Sequence, residues 1–118
     1  MNEKQAVLYA ALHGGRFAMT SPEDFAVGKK LADDGFMFDR SFRDIRFLTP
    51  LGWLAANVRL ERAVQDVLWD RGLGNANIMF TPNINLAYIV FVEGGRRLRA
   101  QVELDADYNV ILTNEDWS

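Results

Sequence analysis

Residues 46–53 read Arg-Phe-Leu-Thr-Pro-Leu-Gly-Trp, and the assignment of this stretch decides the fold. Phe47 and Leu48 close an apolar extended run. Thr49 is a good helix N-cap, and Pro50 suits the first helical position, where a missing N–H costs nothing. Gly52 falls in the first turn and leaves room for a neighbouring element. Trp53 then opens an apolar pattern of Trp53, Leu60, Val64, Val67 and Leu68, widened by Leu54 and Val58. The stretch is a strand-to-helix junction. A long helix over 50–72 is predicted, ended by Gly72 and Gly74.

Upstream, Val7, Leu8, Ala11 and Leu12 share one face of a helix over 3–13, stopped by Gly14-Gly15. Residues 16–19 form a short extended piece. Ser21, Pro22 and Asp24 give a capping-box-like start to a helix from Pro22 to about Asp34. This helix is expected to bury Phe25, Leu31 and Ala32 and to stop at Gly35. Phe36, Phe38, Phe42, Ile45 and Phe47 alternate imperfectly around Asp39-Arg-Ser41, which predicts a small β-hairpin.

Downstream the pattern is β. Ile78–Phe80 is a short strand and Leu86–Val92 a stronger one. Glu93-Gly-Gly-Arg96 is a hairpin turn. Leu98, Ala100, Val102 and Leu104 alternate with Arg97, Arg99, Gln101 and Glu103, so this strand has one wet face. Residues 105–109 turn again, and Val110–Thr113 closes the meander. The expected fold class is α+β: a winged-helix-like N-terminal part (1–48), a long central helix (49–72) and a three- to four-stranded antiparallel meander with an acidic tail (73–118). One domain over 1–118 is expected.

Length and composition fit that expectation. The chain has 118 residues, 49% hydrophobic and 25% charged. A chain of this size buries about two thirds of its unfolded surface. With no cysteine, disulfides, thiolate zinc sites and iron–sulfur clusters are excluded. No apolar run approaches the roughly 18 residues needed to span a bilayer. Met1-Asn-Glu-Lys-Gln5 lacks a basic segment followed by an apolar core, so a cytoplasmic location and no membrane contact are expected. Net charge is −3, and residues 105–118 hold Asp105, Asp107, Glu115 and Asp116 with no base. That balance counts against a nucleic-acid binder, which usually carries a basic excess or a basic face.

Two segments carry a resemblance. Leu31-Ala-Asp-Asp-Gly35 ends the second helix and Leu48-Thr-Pro-Leu-Gly52 opens the third. Over residues 5–57, this order of elements resembles a winged-helix domain. There a Leu-Ala-x-x-Gly segment often ends the recognition helix, a wing hairpin follows, and Leu-Thr-x-x-Gly starts the next helix. The resemblance implies a winged-helix fold and a DNA-binding role. The chain departs from it in having two helices before the wing, with Arg16–Thr20 in place of the middle one. Its presumed recognition helix starts Pro22-Glu-Asp24, and two acids there repel phosphate while suiting the helix's own positive end.

Candidate chemistry is sparse. His13, the one histidine, sits at a helix end, where it reads as a favourable C-terminal cation before a general base. Asp105-Ala-Asp107 with Asn109 reads as a turn, lacking the glycine and distant glutamate of a calcium loop. No phosphate-cradling glycine loop or nucleophile elbow occurs. No cofactor and no enzymatic activity are expected. The candidate binding surface is basic: Arg40, Arg43 and Arg46 in the wing, Lys29 and Lys30 on the second helix, and Arg96, Arg97 and Arg99 after the double-glycine turn. Glu115, Asp116 and Trp117 are the candidate contacts of the acidic tail. The expected function is protein binding without catalysis, with a possible homodimer through the long helix or the sheet edge. By type, a small acidic cysteine-free chain without catalytic motifs resembles phage-encoded inhibitors of bacterial defence, anti-CRISPR proteins among them; in that role the acidic tail of this chain would occupy a partner's nucleic-acid channel by mimicking phosphate. A winged-helix DNA-binding transcriptional regulator is the alternative.

Overall fold

The structure is a computed structural model and describes residues 1–118. Its elements are α1 (Glu3–Leu12), β1 (Arg16–Ala18), α2 (Pro22–Asp33), β2 (Ile45–Phe47), α3 (Pro50–Asp70), β3 (Ala76–Thr81), a 3-10 turn (Pro82–Ile84), β4 (Leu86–Phe91), β5 (Arg97–Leu104) and β6 (Val110–Trp117). The fold class is α+β with a long central helix. The chain forms two compact units, Met1–Val58 and Arg59–Ser118, and α3 contributes residues to both. No helix is long and apolar enough to cross a membrane.

In the first unit the helix ends follow local chemistry. Asn2 and Gln5 form a reciprocal capping box on α1. On α2 the Ser21 hydroxyl accepts the Asp24 N–H at 3.1 Å. At α3 the Thr49 hydroxyl accepts the Gly52 N–H at 3.1 Å and donates to the Gly35 carbonyl at 2.6 Å. One threonine thus caps α3 and ties it to the end of α2. Gly52 is required: a methyl group there would overlap the carbonyl oxygen of Phe36. Val7, Ala10, Phe17, Leu31, Met37 and Leu48 are buried.

Three expectations need correction here. The 36–48 segment is not a regular hairpin. Its second strand, β2, pairs antiparallel with β1, with Phe17 opposite Arg46. Only isolated bridges join Met37 to Leu48 and Phe42 to Ile45. The apolar phase is also inverted: Met37 and Leu48 are buried, so alternation turns Phe38 and Phe47 outward. Phe25 is exposed as well, because α2 buries only Gly28 and Leu31. On α3 the buried series is Ala56, Leu60, Val64 and Leu68. Leu54 and Val58 lie two residues from members of that series, roughly 200° around the helix, and both are exposed.

In the second unit β3-β4-β5-β6 form one antiparallel sheet in chain order. Phe80, Ala87, Ile89, Phe91, Leu98, Ala100 and Val102 point to its buried face. With Leu60, Val64 and Leu68 of α3 they make the core of this unit. Gln65 joins helix to sheet: its amide donates to the Gly74 carbonyl at 3.1 Å and its oxygen accepts the Ala76 N–H at 2.9 Å. The expected tail is a further correction, since β6 runs to Trp117 and residues 114–117 are strand. Trp117 lies opposite Leu98 and stacks on Phe91 with centroids 5.6 Å apart. Polar residues adopt the strand because β5 supplies the ladder partners.

Candidate interaction surfaces

The loop between α2 and β2 is irregular yet closely held. Gly35, at φ 85°, turns the chain out of α2. The Phe36 and Met37 N–H groups both bond the Leu31 carbonyl, at 2.9 and 3.2 Å. Thr49 N–H bonds the Phe36 carbonyl at 3.1 Å, and Phe38 N–H bonds Phe47 at 3.0 Å. At the tip, Phe42 and Ile45 exchange backbone bonds of 2.9 Å each way. The two residues between them, Arg43 and Asp44, have φ of 50° and 61°. That is the geometry of a two-residue type I′ hairpin turn, which normally selects Asn-Gly. Left-handed backbone at a residue with a Cβ costs about 1–2 kcal/mol. The strain sits at an exposed tip, where such outliers tend to accompany function.

Arg46 holds this loop from within. One terminal nitrogen donates to the carbonyls of Phe38 and Asp39 at 3.0 and 2.6 Å. Its stem lies against Gly28 of α2, where an added Cβ would come within 3.2 Å of it. Its Nε is buried without a partner. Arg46 is therefore a scaffold residue rather than a free cation.

On this scaffold Phe38, Phe42 and Phe47 are 51%, 64% and 37% exposed. Phe38, Asp39, Arg40 and Phe47 line one open hollow. Arg43 lies over the Phe42 ring, 5.2 Å from its centroid. Neither Arg40 nor Arg43 has a carboxylate partner, whereas Lys29 pairs with Asp33 at 3.6 Å and Lys30 with Asp34 at 3.0 Å. The Asp34 carboxylate, by hydrogen bond first and charge second, holds the Lys30 ammonium above its ordinary value.

The second unit spends its arginines differently. Arg99 pairs with Asp116 across the strands at 3.0 Å. Arg71 of the α3–β3 connection pairs with Glu115 at 2.9 Å. Arg96 covers the Trp117 ring at 4.6 Å. Met79, Tyr88, Arg99 and Asp116 are mutual cross-strand neighbours in one row of the outer sheet face. A groove of about 380 Å³ there is lined by Tyr88, Val90, Arg97, Arg99 and Asp116, among others. Arg97 is exposed and has no ion pair.

The remaining candidates are local structure. His13 caps α1, with Nδ1 2.7 Å from the Tyr9 carbonyl and its ring stacked on Tyr9 at 3.9 Å. Asp105 closes its turn by accepting the N–H groups of Asp107 and Asn109, both at 2.9 Å. Those bonds, Asn109 first, hold its carboxyl below the usual value. No three His, Asp or Glu side chains converge to hold a metal ion.

The basic candidates thus separate into occupied and available groups, and the first unit brings two available arginines beside exposed phenylalanines. Sequence reasoning places those rings on the strands of a small hairpin and gives them no surface role. The alternation about Met37 and Leu48 was the signal that could have placed them outside. Comparison with known proteins adds no name to this surface: no protein family, curated protein or solved structure shows a significant match to the chain.

Proposed function

We propose that the protein is a non-catalytic protein-binding module whose contact surface is the α2–β2 loop with Phe38 and Phe42, together with Phe47 at the end of β2. One observation carries this reading: exposed Phe38 and Phe42 on a pinned loop, and Phe47 of the adjoining β2, stand beside Arg40 and Arg43, which have no carboxylate partner. Fully burying one Phe side chain is worth about 1.5–3 kcal/mol. Interface cores are enriched in aromatic residues and arginine, and hot spots in arginine. The complementary partner surface is apolar with acidic groups at its rim, facing Arg40 and Arg43.

In its most specific form this module is a phage-encoded, anti-CRISPR-like inhibitor that covers a working surface of a bacterial defence protein. The exposed loop supports steric cover. Pairing of Glu115 with Arg71 of the α3–β3 connection, and of Asp116 with Arg99 of β5, removes the support that a free acidic tail gave to phosphate mimicry. The winged-helix regulator has less behind it, because Arg46 is held by two loop carbonyls and Lys29, Lys30 and Arg99 each have a carboxylate beside them that lowers the local positive potential.

The test is capture of a partner from host lysate with and without nuclease, by the wild type and by Phe38→Ser and Phe42→Ser. A protein that survives nuclease and is lost with both variants is the expected result. Equal capture by the variants defeats the proposal. Recovery of nucleic acid alone moves the assignment to the regulator, where Arg43→Ala would lower the salt slope of duplex binding by about one.

A further inference from the structure

The sheet of the second unit has two edges, and they are treated unequally. The β6 edge carries Glu115 and Asp116, a register shift opposite Arg99–Gln101, and Asn114 at φ 49°. Charges and bulges are the usual means of keeping an edge from pairing with another chain. The β3 edge has neither. Its six residues, Ala-Asn-Ile-Met-Phe-Thr, include no charge and no proline.

The hydrogen-bond phase of β3 follows from one contact. Val92 N–H bonds the carbonyl of Asn75, its direct opposite, at 2.9 Å. Bonding alternates along an antiparallel ladder, so Asn77, Met79 and Thr81 bond to β4. Ala76, Ile78 and Phe80 direct their N–H and C=O groups away from the sheet. Of these, the Ala76 N–H is already held by the Gln65 side chain at 2.9 Å. Immediately after β3, Pro82 has no N–H to offer.

We infer that β3 is a homodimerisation edge, pairing antiparallel with β3 of a second copy about a two-fold axis at Met79. The register follows from the available donors. Centring the pair on Ile78 would require the Ala76 N–H, which Gln65 occupies. Centring it on Phe80 would place Ile78 opposite Pro82, which cannot donate. Centring it on Met79 sets Ile78 opposite the partner's Phe80, and each exchanges both backbone bonds. Ala76 then faces the partner's Pro82, where neither has an N–H free.

The side chains suit the same register. Ile78 is half-buried at the open edge, and the partner's Phe80 would complete its cover on the core face. A β-branched residue opposite an aromatic is a favourable cross-strand pair. On the outer face the two Met79 side chains meet at the close, non-hydrogen-bonded position, beside Tyr88 on each copy. Met79 is 68% exposed in the single chain, and methionine adapts readily to a self-contact. No like charges meet across the axis. This surface is independent of the phenylalanine loop, which belongs to the other unit.

Sedimentation equilibrium of the full chain tests the inference. The wild type is expected at twice the 13.4 kDa chain mass. Met79→Lys and Met79→Glu, each alone, are expected at the single mass, because two like charges would face each other at the axis. An equimolar mixture of the two is expected to return to the double mass. Circular dichroism checks that each variant keeps its fold, as an exposed position allows. The chain has no cysteine, so Met79→Cys gives an independent readout. At the close pair the Cα atoms are about 4.5 Å apart, within disulfide range. Mild oxidation should link this variant far faster than Val92→Cys, which is equally exposed at 68%. A monomeric wild type, a Met79→Lys variant that stays dimeric, or equal linking of the two cysteine variants would overturn the inference.

Discussion

Two arginine-bearing turns show how differently the two units are built. The β4–β5 turn, Glu93-Gly-Gly-Arg96, meets left-handed backbone with glycine: Gly94 and Gly95 have φ of 82° and 64°. The loop tip in the first unit meets φ of 50° and 61° with Arg43 and Asp44. The sheet turn is relaxed, and the Arg96 that follows it rests on Trp117. The loop tip is strained and its cation is free of carboxylates. The difference in strain is confined to these two turns, since Asn85, Tyr108 and Asn114 of the sheet unit also have φ of 50°, 62° and 49°; the units differ in how each is held. The sheet unit is held by continuous ladders over one helix face. The N-terminal loop is held by single contacts: Thr49 on Gly35, Gly52 beneath Phe36, Arg46 on two carbonyls. Point contacts fix a segment whose phenylalanines stay a third to two thirds exposed, and that is the geometry of a presented surface.

Gly52→Ala should break this arrangement with the largest effect. The added methyl group overlaps the Phe36 carbonyl, so either the loop or the first turn of α3 must move. We expect a loss of about 3 kcal/mol, at the upper end for overpacking, even after the gain of about 1 kcal/mol in helix propensity. Hydrogen exchange should localise the damage to Phe36–Leu48 and leave β4 and β5 protected. Gly74→Ala, where an added Cβ meets open space, is the matching control and should change little. Equal loss of protection in both units would break the contrast drawn above.

Gln65→Leu is the corresponding test in the sheet unit. It removes two bonds from a side chain only 9% exposed and leaves the Ala76 N–H and the Gly74 carbonyl without partners. Both orphaned groups are only part-buried at the sheet edge, where water can take the lost partner's place, so we expect about 1–2 kcal/mol, the lower part of the range for orphaned polar groups, from urea unfolding. Here protection should fall at the start of β3, with the loop unaffected.

The turns themselves give the next effect, of opposite sign in the two units. Arg43→Asn with Asp44→Gly supplies the residues that a type I′ turn selects. Relief of left-handed strain should stabilise by about 1–2 kcal/mol. Gly94→Ala should destabilise the sheet hairpin by about 1 kcal/mol for the same reason. If the Arg43→Asn, Asp44→Gly variant is more stable but captures less partner, the strained arginine belongs to the contact surface. If it is no more stable, the strain argument fails.

Much of this was legible in the sequence where the signal is local. Ser21-Pro22, Thr49-Pro50, Gly35 and Gly72 set the helix ends, and the close approach at Gly52 followed from its place in the first turn. Cap and turn chemistry acts over a few residues and survives any tertiary context. Legibility failed where distant partners decide. Nothing near Ile45–Phe47 says that its ladder partner is Arg16–Ala18. The apolar residues of α3 were counted as one broad stripe, although Leu54 and Val58 fall on the side opposite Ala56 and Leu60. The polar run Asn114–Asp116 has low strand propensity, and β5 imposes its strand. The candidate surface suffered from the same limit: an arginine can be counted in a sequence, but its pairing with Asp116 or with two loop carbonyls cannot.

The smallest expected effect is on acid stability, and one carboxylate in each unit reports it. Asp24 accepts the Thr20 N–H and hydroxyl, both at 3.1 Å. These bonds, the backbone one first, hold its carboxyl below the ordinary value of 3.8. Asp105 is held below that value by the N–H groups of Asn109 and Asp107. A carboxyl with a depressed folded pKa stabilises fully above its unfolded pKa, and that contribution is lost as pH falls through the folded value. The melting temperature should therefore hold steady down to about pH 4 and decline below it. Asp24→Asn should remove the part of that decline reported by exchange in α2, and Asp105→Asn the part reported in β5 and β6. Both side chains are only partly covered, and solvent screens their bonds, so each effect is a small fraction of the total. A decline that begins well above pH 5, or that neither variant alters, would show that acid acts on the two units through other groups.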